Sequence, residues 1–128
     1  MEMEGFVSLW IGTTVSSEEL DDYLEISYTE EGNLVPSRFA TSFNISRYDE
    51  AFREADFYEE PSESLNDLLE DFSYDEDIIP KFKSLIGNEV EATTNAVILL
   101  YNFQYDGTVT EWSDTLTKFK YLGKVEYR

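Results

Sequence analysis

The stretch GFVSLWIGT, residues Gly5–Thr13, decides the fold of this chain. It is short and apolar, and glycines stand at or near its ends. A brief apolar run bounded in this way is typical of a buried β-strand. We therefore predict that the chain opens with a buried strand.

Helical patterns follow this strand. Ser16 and Glu19 have the spacing of a capping box, and the apolar positions after them share one face, which predicts a helix near residues 17–27. The stretch SRFATSF further on predicts a short helix that buries Phe39 and Phe43.

The middle of the chain contains the clearest amphipathic helix. In SESLNDLLEDF, residues 62–72, apolar side chains recur at i, i+3, i+4 and i+7, which places them on one helical face. They are Leu65, Leu68, Leu69 and Phe72. A further helix is predicted in IIPKFKSLIG, with Pro80 near its first turn and Gly87 as its stop.

The last third of the chain is rich in strand-forming residues. NAVILLYNFQYDGTVTEW, residues 95–112, predicts a β-hairpin in which Asp106 and Gly107 supply the tight turn. FKYLGKVEYR, residues 119–128, alternates and predicts a strand with one solvent-facing side. We predict one domain over residues 1–128 with an α+β fold, an antiparallel sheet of about four strands with helices packed mainly on one face.

The composition is strongly acidic and the charge is uneven. Asp and Glu number 28 against 9 Lys and Arg, which gives a net charge of −19. The segment Tyr48–Pro80 holds thirteen acidic residues and one basic residue, whereas residues 81–128 hold six of each. This balance argues against direct binding to nucleic acid or to an anionic membrane surface, because both depend on Lys and Arg.

The missing residue types exclude much chemistry. The chain has no His and no Cys, so Ser-His-Asp and Cys-His triads, ordinary zinc sites and disulfides are excluded. Glycine-rich phosphate-binding motifs are absent as well. We see no signal peptide and no transmembrane segment, and we expect a cytoplasmic protein without catalytic residues, metal ligands or cofactors.

Carboxylate chemistry is the remaining catalytic alternative. A glycosidase needs two acids at a fixed spacing, and a magnesium site needs a few oxygen ligands. Among 28 acids such pairs arise by chance almost anywhere. A carboxylate-dependent hydrolase is therefore the less favoured interpretation.

The acidic segment is instead interpreted as a binding surface. A charge run is ordinarily a solvated face, but −19 exceeds the net charge of about 2–8 that solubility requires. A basic partner explains the excess, because complementary potentials speed encounter and select the partner. The predicted partner-binding carboxylates are Asp49, Glu50, Glu54, Asp56, Glu59, Glu60, Asp75, Glu76 and Asp77. Tyr58 and Tyr74 are the predicted aromatic anchors.

Halophilic adaptation and nucleic-acid mimicry are two alternative sources of the negative charge. Halophilic adaptation would spread acids over the whole surface, and the neutral last third of the chain argues mildly against it. An acidic nucleic-acid mimic that inhibits DNA-binding proteins would follow the same charge logic with a different partner.

Five phrases of the sequence resemble a known family. They are FVSLWIG (6–12), YTEEGNLVPSRF (28–39), LLEDFSY (68–74), NAVILLYNF (95–103) and KYLGKVEY (120–127). In this order, and over nearly the whole chain, they resemble the bacterial immunity protein 22 family. The resemblance implies a cytoplasmic inhibitor that binds and inactivates a cognate toxin of a polymorphic toxin system, and it brings no catalytic motif. Many such toxins are nucleases with basic clefts, so a nuclease is the leading target.

Overall fold

The computed structural model describes residues 2–128 and shows an α+β fold, as predicted. The strands in this part of the chain are β1 (Glu2–Thr14), β2 (Ser27–Tyr28), β3 (Leu34–Val35), β4 (Arg53–Phe57), β5 (Ala96–Phe103), β6 (Glu111–Ser113) and β7 (Thr117–Glu126). The α-helices are α1 (Ser17–Leu24), α2 (Arg38–Ser42), α3 (Leu65–Leu69) and α4 (Asp75–Ile86), and a 3₁₀ turn occupies Glu50–Phe52.

The main sheet is antiparallel, with five strands in the order β4-β5-β1-β7-β6. The first strand is therefore central, and its side chains from Val7 to Ile11 are buried, which confirms the prediction for GFVSLWIGT. Strands β4 and β6 form the two edges of this sheet. Strands β2 and β3 pair only with each other, in a separate two-stranded ribbon.

Helices cover both faces of the sheet rather than mainly one, which corrects this detail of the prediction. On one face Trp10 and Ile98 pack in a cluster with residues of α1 and α2. On the other face Leu9 and Leu99 pack with residues of α3 and α4. The physical reason is that β5 is apolar at consecutive positions, and such a strand requires cover on both sides.

Serine caps begin three of the helices. Ser16, Ser37 and Ser64 each accept a hydrogen bond from the backbone N–H three residues further on. The first helix ends at Leu24, three residues before the predicted end. The carboxylate of Glu19 does not complete a capping box and binds Arg38 instead, since that cation lies within 2.9 Å.

The amphipathic helix in the middle of the chain is shorter than its pattern predicts. Helix α3 ends at Leu69, and Asp71 two residues later adopts a left-handed backbone with φ 75°. The predicted apolar face is nevertheless buried, because Phe72 packs into the same cluster from the turn.

Helix α4 starts earlier than predicted. It begins at Asp75, so the acidic triplet 75–77 forms its first turn, where the helix dipole favours negative charge. Pro80 consequently lies inside the helix, and its ring nitrogen has no hydrogen to donate to a carbonyl of the preceding turn. Gly87 is the C-cap, with φ 84°, which confirms the predicted stop.

The predicted hairpin of residues 95–112 does not form. Strand β5 pairs with β1 and β4, and β6 pairs with β7, where Trp112 lies opposite Phe119. The apolar faces of β5 favour an interior position in the sheet, whereas the exposed Glu111 and Ser113 suit an edge. This long-range pairing outweighs the local turn signal at residues 106–107.

A register shift interrupts the alternation predicted for the last strand. Leu9 lies opposite Gly123 and Trp10 lies opposite Tyr121, so the pairing of β1 with β7 contains a bulge. Tyr121 therefore packs on the α1–α2 side, while Val125 packs on the α3–α4 side. The prediction of one uniform solvent-facing side for this strand is wrong.

Candidate partner-binding surface

The predicted partner-binding carboxylates lie along one sheet edge and at one helix start. Six belong to β4 or flank it, namely Asp49, Glu50, Glu54, Asp56, Glu59 and Glu60, and the other three, Asp75, Glu76 and Asp77, form the first turn of α4. Ser73 joins the two groups, because its backbone N–H and its hydroxyl both donate to Glu54. Asp49 and Glu60 lie beyond opposite ends of β4. These nine residues are called the acidic edge below.

No ion pair among the described residues compensates the acidic edge. Ion pairs within residues 2–128 join Arg38 to Glu19, Asp22 and Asp114, Lys118 and Lys120 to Glu91, Lys120 to Glu111, and Arg128 to Glu4. Arg53, the base within the acidic segment, donates instead to the Leu24 carbonyl and the Tyr48 hydroxyl, at 2.9 and 2.8 Å. The negative charge of the edge is therefore not paired within this part of the chain.

Four carboxylates of the acidic edge are hydrogen-bonded within the fold. Besides Glu54, Asp49 caps the 3₁₀ turn, Asp75 accepts from the backbone N–H of Asp71, and Asp56 accepts from that of Phe57. The side chains of the other five accept no hydrogen bond from residues 2–128. These five are Glu50, Glu59, Glu60, Glu76 and Asp77, and their oxygens are open to a partner.

Tyr58 is anchored inside the fold. Its ring packs against the cluster of α3 and α4, and its hydroxyl donates to the Leu68 carbonyl at 2.7 Å. Burial, with a further contribution from the nearby Asp56 and Asp71 carboxylates, raises the pKa of Tyr58 to about 12. The hydroxyl is therefore engaged in holding β4 to α3.

Tyr74 is the more accessible of the two predicted anchors. The residue is 47% exposed, and its backbone is left-handed, with φ 62°. The ring rests on Tyr127, with the ring centroids 4.7 Å apart, and lies near Tyr101. Tyr101 is buried and donates to the Ser73 carbonyl, and burial raises the pKa of its hydroxyl. Tyr74 is thus an exposed ring on a fixed support, beside the α4 part of the acidic edge.

A large cleft beside the acidic edge was missed by sequence reasoning. It has a volume of about 1010 Å³, and we call it the ribbon cleft. Tyr28 and Leu34 of the β2–β3 ribbon form one wall, Phe52 forms part of another, and Leu100 and Phe103 also line it. Strands of two residues have no periodicity, so the only signal was a few apolar residues on either side of the turn between β2 and β3.

A smaller cleft of about 420 Å³ lies between β7 and the segment after α4. Lys118 and Lys120 line it, and their ammonium groups lie 3.6 and 3.8 Å from the carboxylate of Glu91.

Within residues 2–128 no group of three or more acidic side chains is arranged to hold a metal ion. In the same part of the chain, no helix has the length and apolar character to cross a membrane.

These features define a small acidic α+β protein whose carboxylate-rich sheet edge forms no ion pair within the described residues. The family model for Immunity protein 22 matches residues 7–128, and the chain belongs to that family. The resemblance noted in the sequence is thereby confirmed. Membership points to toxin neutralisation in general, with a cognate toxin as the partner and an inhibitory rather than a catalytic role. Searches of curated proteins and of solved structures found no significant match.

Proposed function

We propose that this protein neutralises its cognate bacterial toxin by placing the acidic edge against a basic surface of that toxin. The observation that carries the proposal is that none of the nine carboxylates of the acidic edge has an ion-pair partner within residues 2–128. A nuclease is the leading target, because a cleft that holds phosphates is basic.

Electrostatics supports this arrangement in two ways. Unpaired like charges repel one another in the free protein, and a basic surface relieves that repulsion on binding. Complementary potentials also accelerate diffusional encounter and disfavour wrong partners. An inhibitor that must find its toxin before damage occurs benefits from both effects.

The residues of the surface divide into two roles. The carboxylates without internal hydrogen bonds, such as Glu59 and Glu60, supply charge and hydrogen-bond acceptors. Tyr74 supplies a rigid aromatic contact, since exposed aromatics often carry much of the binding energy at interfaces. We place this activity in the cytoplasm and in a single domain that spans residues 1–128.

The test is the salt dependence of association with the toxin domain encoded beside this gene, used in a catalytically inactive form. We expect the association rate constant to fall steeply between about 0.02 and about 0.5 M NaCl, because the Debye length shortens over this range. The double variant Glu59→Gln/Glu60→Gln should associate more slowly at low salt. Glu89→Gln/Asp106→Asn, which removes the same charge from the last third of the chain, should change the rate much less.

Three different outcomes would redirect the assignment. An association rate that is flat across this salt range would contradict charge steering. Binding to a broad set of DNA-binding proteins, with none to the toxin, would favour a nucleic-acid mimic. Hydrolysis of a glycoside or phosphoester that disappears on one Asp or Glu substitution would favour a carboxylate-dependent hydrolase.

A further inference from the structure

We propose that the ribbon cleft receives an apolar segment of the toxin that carries a Lys or Arg side chain. The inference rests on the proposed function and assigns a second contact surface for the same partner. The walls of the ribbon cleft are the β2–β3 ribbon and the segment around Phe52. The rim of the cleft continues into the acidic edge at Asp49 and Glu50.

The walls of the cleft expose large apolar side chains. Tyr28 is 64% exposed, and Leu34 and Phe52 are each 43% exposed. All three line the same cleft, so their apolar surfaces are grouped rather than scattered. Grouped exposed apolar surface marks an interaction site more often than isolated exposed residues do.

The ribbon has little support from the rest of the fold. All four strand residues of β2 and β3 are exposed, and the two strands pair only with each other. The turn is closed by hydrogen bonds between Thr29 and Asn33. A two-stranded ribbon of this kind is marginally stable by itself, so contact with a partner segment would stabilise it further.

The charge of the cleft selects the occupant. Among the described lining residues, Glu2, Asp49 and Glu50 are acidic and Arg47 is the cation. None of these four belongs to an ion pair within residues 2–128. The cleft therefore combines the grouped apolar side chains with a net negative charge, which is complementary to a segment that carries both apolar and cationic side chains.

The size of the cleft favours a macromolecular occupant over a small molecule. Ser37 accepts from the backbone N–H of Ala40, Tyr48 accepts from Arg53, and Asn102 accepts from Gly5. These three side chains already have partners in the fold, so they are less available to an occupant than the charged groups of the cleft. The volume of about 1010 Å³ also lies at the upper end of the usual range for such sites.

The test compares two double variants in binding to the inactive toxin domain. Leu34→Ser/Phe52→Ser removes apolar surface from the cleft, and Val15→Ser/Leu116→Ser removes similarly exposed surface at the opposite end of β1. We expect Kd to rise about tenfold or more for the cleft variant and to stay within about twofold for the control. All four positions are exposed, and circular dichroism verifies that both variants fold.

Hydrogen exchange supplies a readout that does not depend on substitution. In the wild-type protein, toxin binding should slow exchange of the backbone amides of Thr29, Gly32 and Asn33 in the ribbon.

Equal affinity of the two double variants, with unchanged exchange in the ribbon, would overturn the inference and leave the proposed function intact. Failure of the wild-type protein to bind the toxin would overturn the proposed function itself. A cleft variant that changes only self-association, seen by sedimentation, would identify a second copy as the occupant and also overturn the inference.

Discussion

At the scale of single residues, Arg38 is the point where three elements meet. Its guanidinium donates to Glu19 and Asp22 of α1 at 2.9 Å and to Asp114, before β7, at 3.0 Å. It also lies 5.4 Å from the centre of the Tyr23 ring. A strongly acidic chain thus uses one cation to hold helices α1 and α2 to the far edge of the sheet.

Replacement of Arg38 by alanine should destabilise the fold. The Arg38 side chain is 39% exposed, so solvent screens its contacts and each exposed pair contributes only about 0.2–1 kcal/mol. We expect the free energy of unfolding to fall by about 1–2 kcal/mol in urea titrations. Lys83→Ala removes the same charge from an exposed position of α4 and should change stability by less than about 0.5 kcal/mol. Equal effects of the two substitutions would show that net charge, not the local contacts, is responsible.

The same contact predicts a pH dependence. The hydrogen bond from Arg38, with a smaller contribution from that of Thr117, lowers the pKa of Glu19 below its usual value of 4.5. A lowered pKa in the folded state means that this stabilisation is present above the unfolded pKa and is lost as pH falls through the folded pKa. The stability difference between wild type and Glu19→Gln should therefore be larger at neutral pH than near pH 3. A difference that is constant with pH would contradict this role of the ionised carboxylate.

The raised pKa of Tyr58 leads us to expect a stability contribution that is lost as pH rises, whereas that of Glu19 is lost as pH falls. The pKa of Tyr58 is raised to about 12, so its neutral form stabilises the fold below pH 10 and this contribution is lost as pH rises toward 12. Tyr58→Phe should cost about 1 kcal/mol at neutral pH, through loss of the bond to the Leu68 carbonyl. The variant should lose less stability than wild type between pH 10 and 12, and its affinity for the toxin at neutral pH should stay within about twofold. A large loss of affinity would make Tyr58 a contact residue after all.

At the scale of elements, local patterns predicted several segments but not their pairing. The periodic spacing of apolar residues predicted a buried face, which is confirmed for Leu65, Leu68 and Phe72. The conformational freedom of glycine predicted the end of a helix, which is confirmed at Gly87. The hairpin prediction is wrong because the neighbours of a strand depend on distant segments rather than on the nearest turn. Strand β4 went unpredicted because READF is short and begins with two consecutive charged residues, so its apolar–polar alternation is too brief to distinguish a strand from a loop within an acidic run.

For the candidate surface, too, local features were predictable from the sequence and contacts between elements were not. The density of acidic residues placed it on the segment that became the sheet edge. The tie between Glu54 and Ser73 could not be predicted, because it depends on how β4 meets the turn before α4. The contact of Tyr58 with the Leu68 carbonyl likewise joins two elements, so no local pattern could predict that Tyr74 is more accessible than Tyr58.

The close approach of β1 and β7 supplies a prediction at this scale. A methyl group at Gly12 would lie 1.9 Å from the carbonyl oxygen of Lys118, much closer than any atomic contact allows. Gly12→Ala should therefore separate two paired strands and lower the free energy of unfolding by more than about 2 kcal/mol. Ser113→Ala, on the exposed edge strand β6, is the control and should have little effect in the same urea titration. Wild-type stability of Gly12→Ala would mean that the two strands can move apart at little cost.

At the scale of the whole molecule, the charge is divided between two regions of the chain. Residues 81–128 carry as many bases as acids, and most of the ion pairs made by lysine lie around Glu91. The acidic edge belongs to the preceding segment and has no such pairs among residues 2–128. The segment Tyr48–Pro80 holds thirteen acids against one base while residues 81–128 are neutral, and a general solvation role would not by itself produce this asymmetry.

Salt should stabilise this protein. Repulsion among 28 acidic residues outweighs the few ion pairs, and screening reduces both. We expect the free energy of unfolding to rise between about 0.02 and about 0.5 M NaCl. Glu59→Gln/Glu60→Gln should begin more stable than wild type and gain less from salt. A fall in stability with salt would show that ion pairs such as those of Arg38 dominate instead.

The central position of β1 has a consequence for the order of events in the cell. This strand is synthesised before both of its neighbours, because Trp10 lies opposite Ile98 of β5 on one side and Tyr121 of β7 on the other. The sheet around it cannot assemble until β7 has left the ribosome, and pairing of segments so far apart is slow. We expect a truncation that removes β7 to abolish toxin neutralisation, because β1 then lacks one of its two neighbours in the sheet. We therefore expect protection to depend on protein that has already folded when the toxin becomes active.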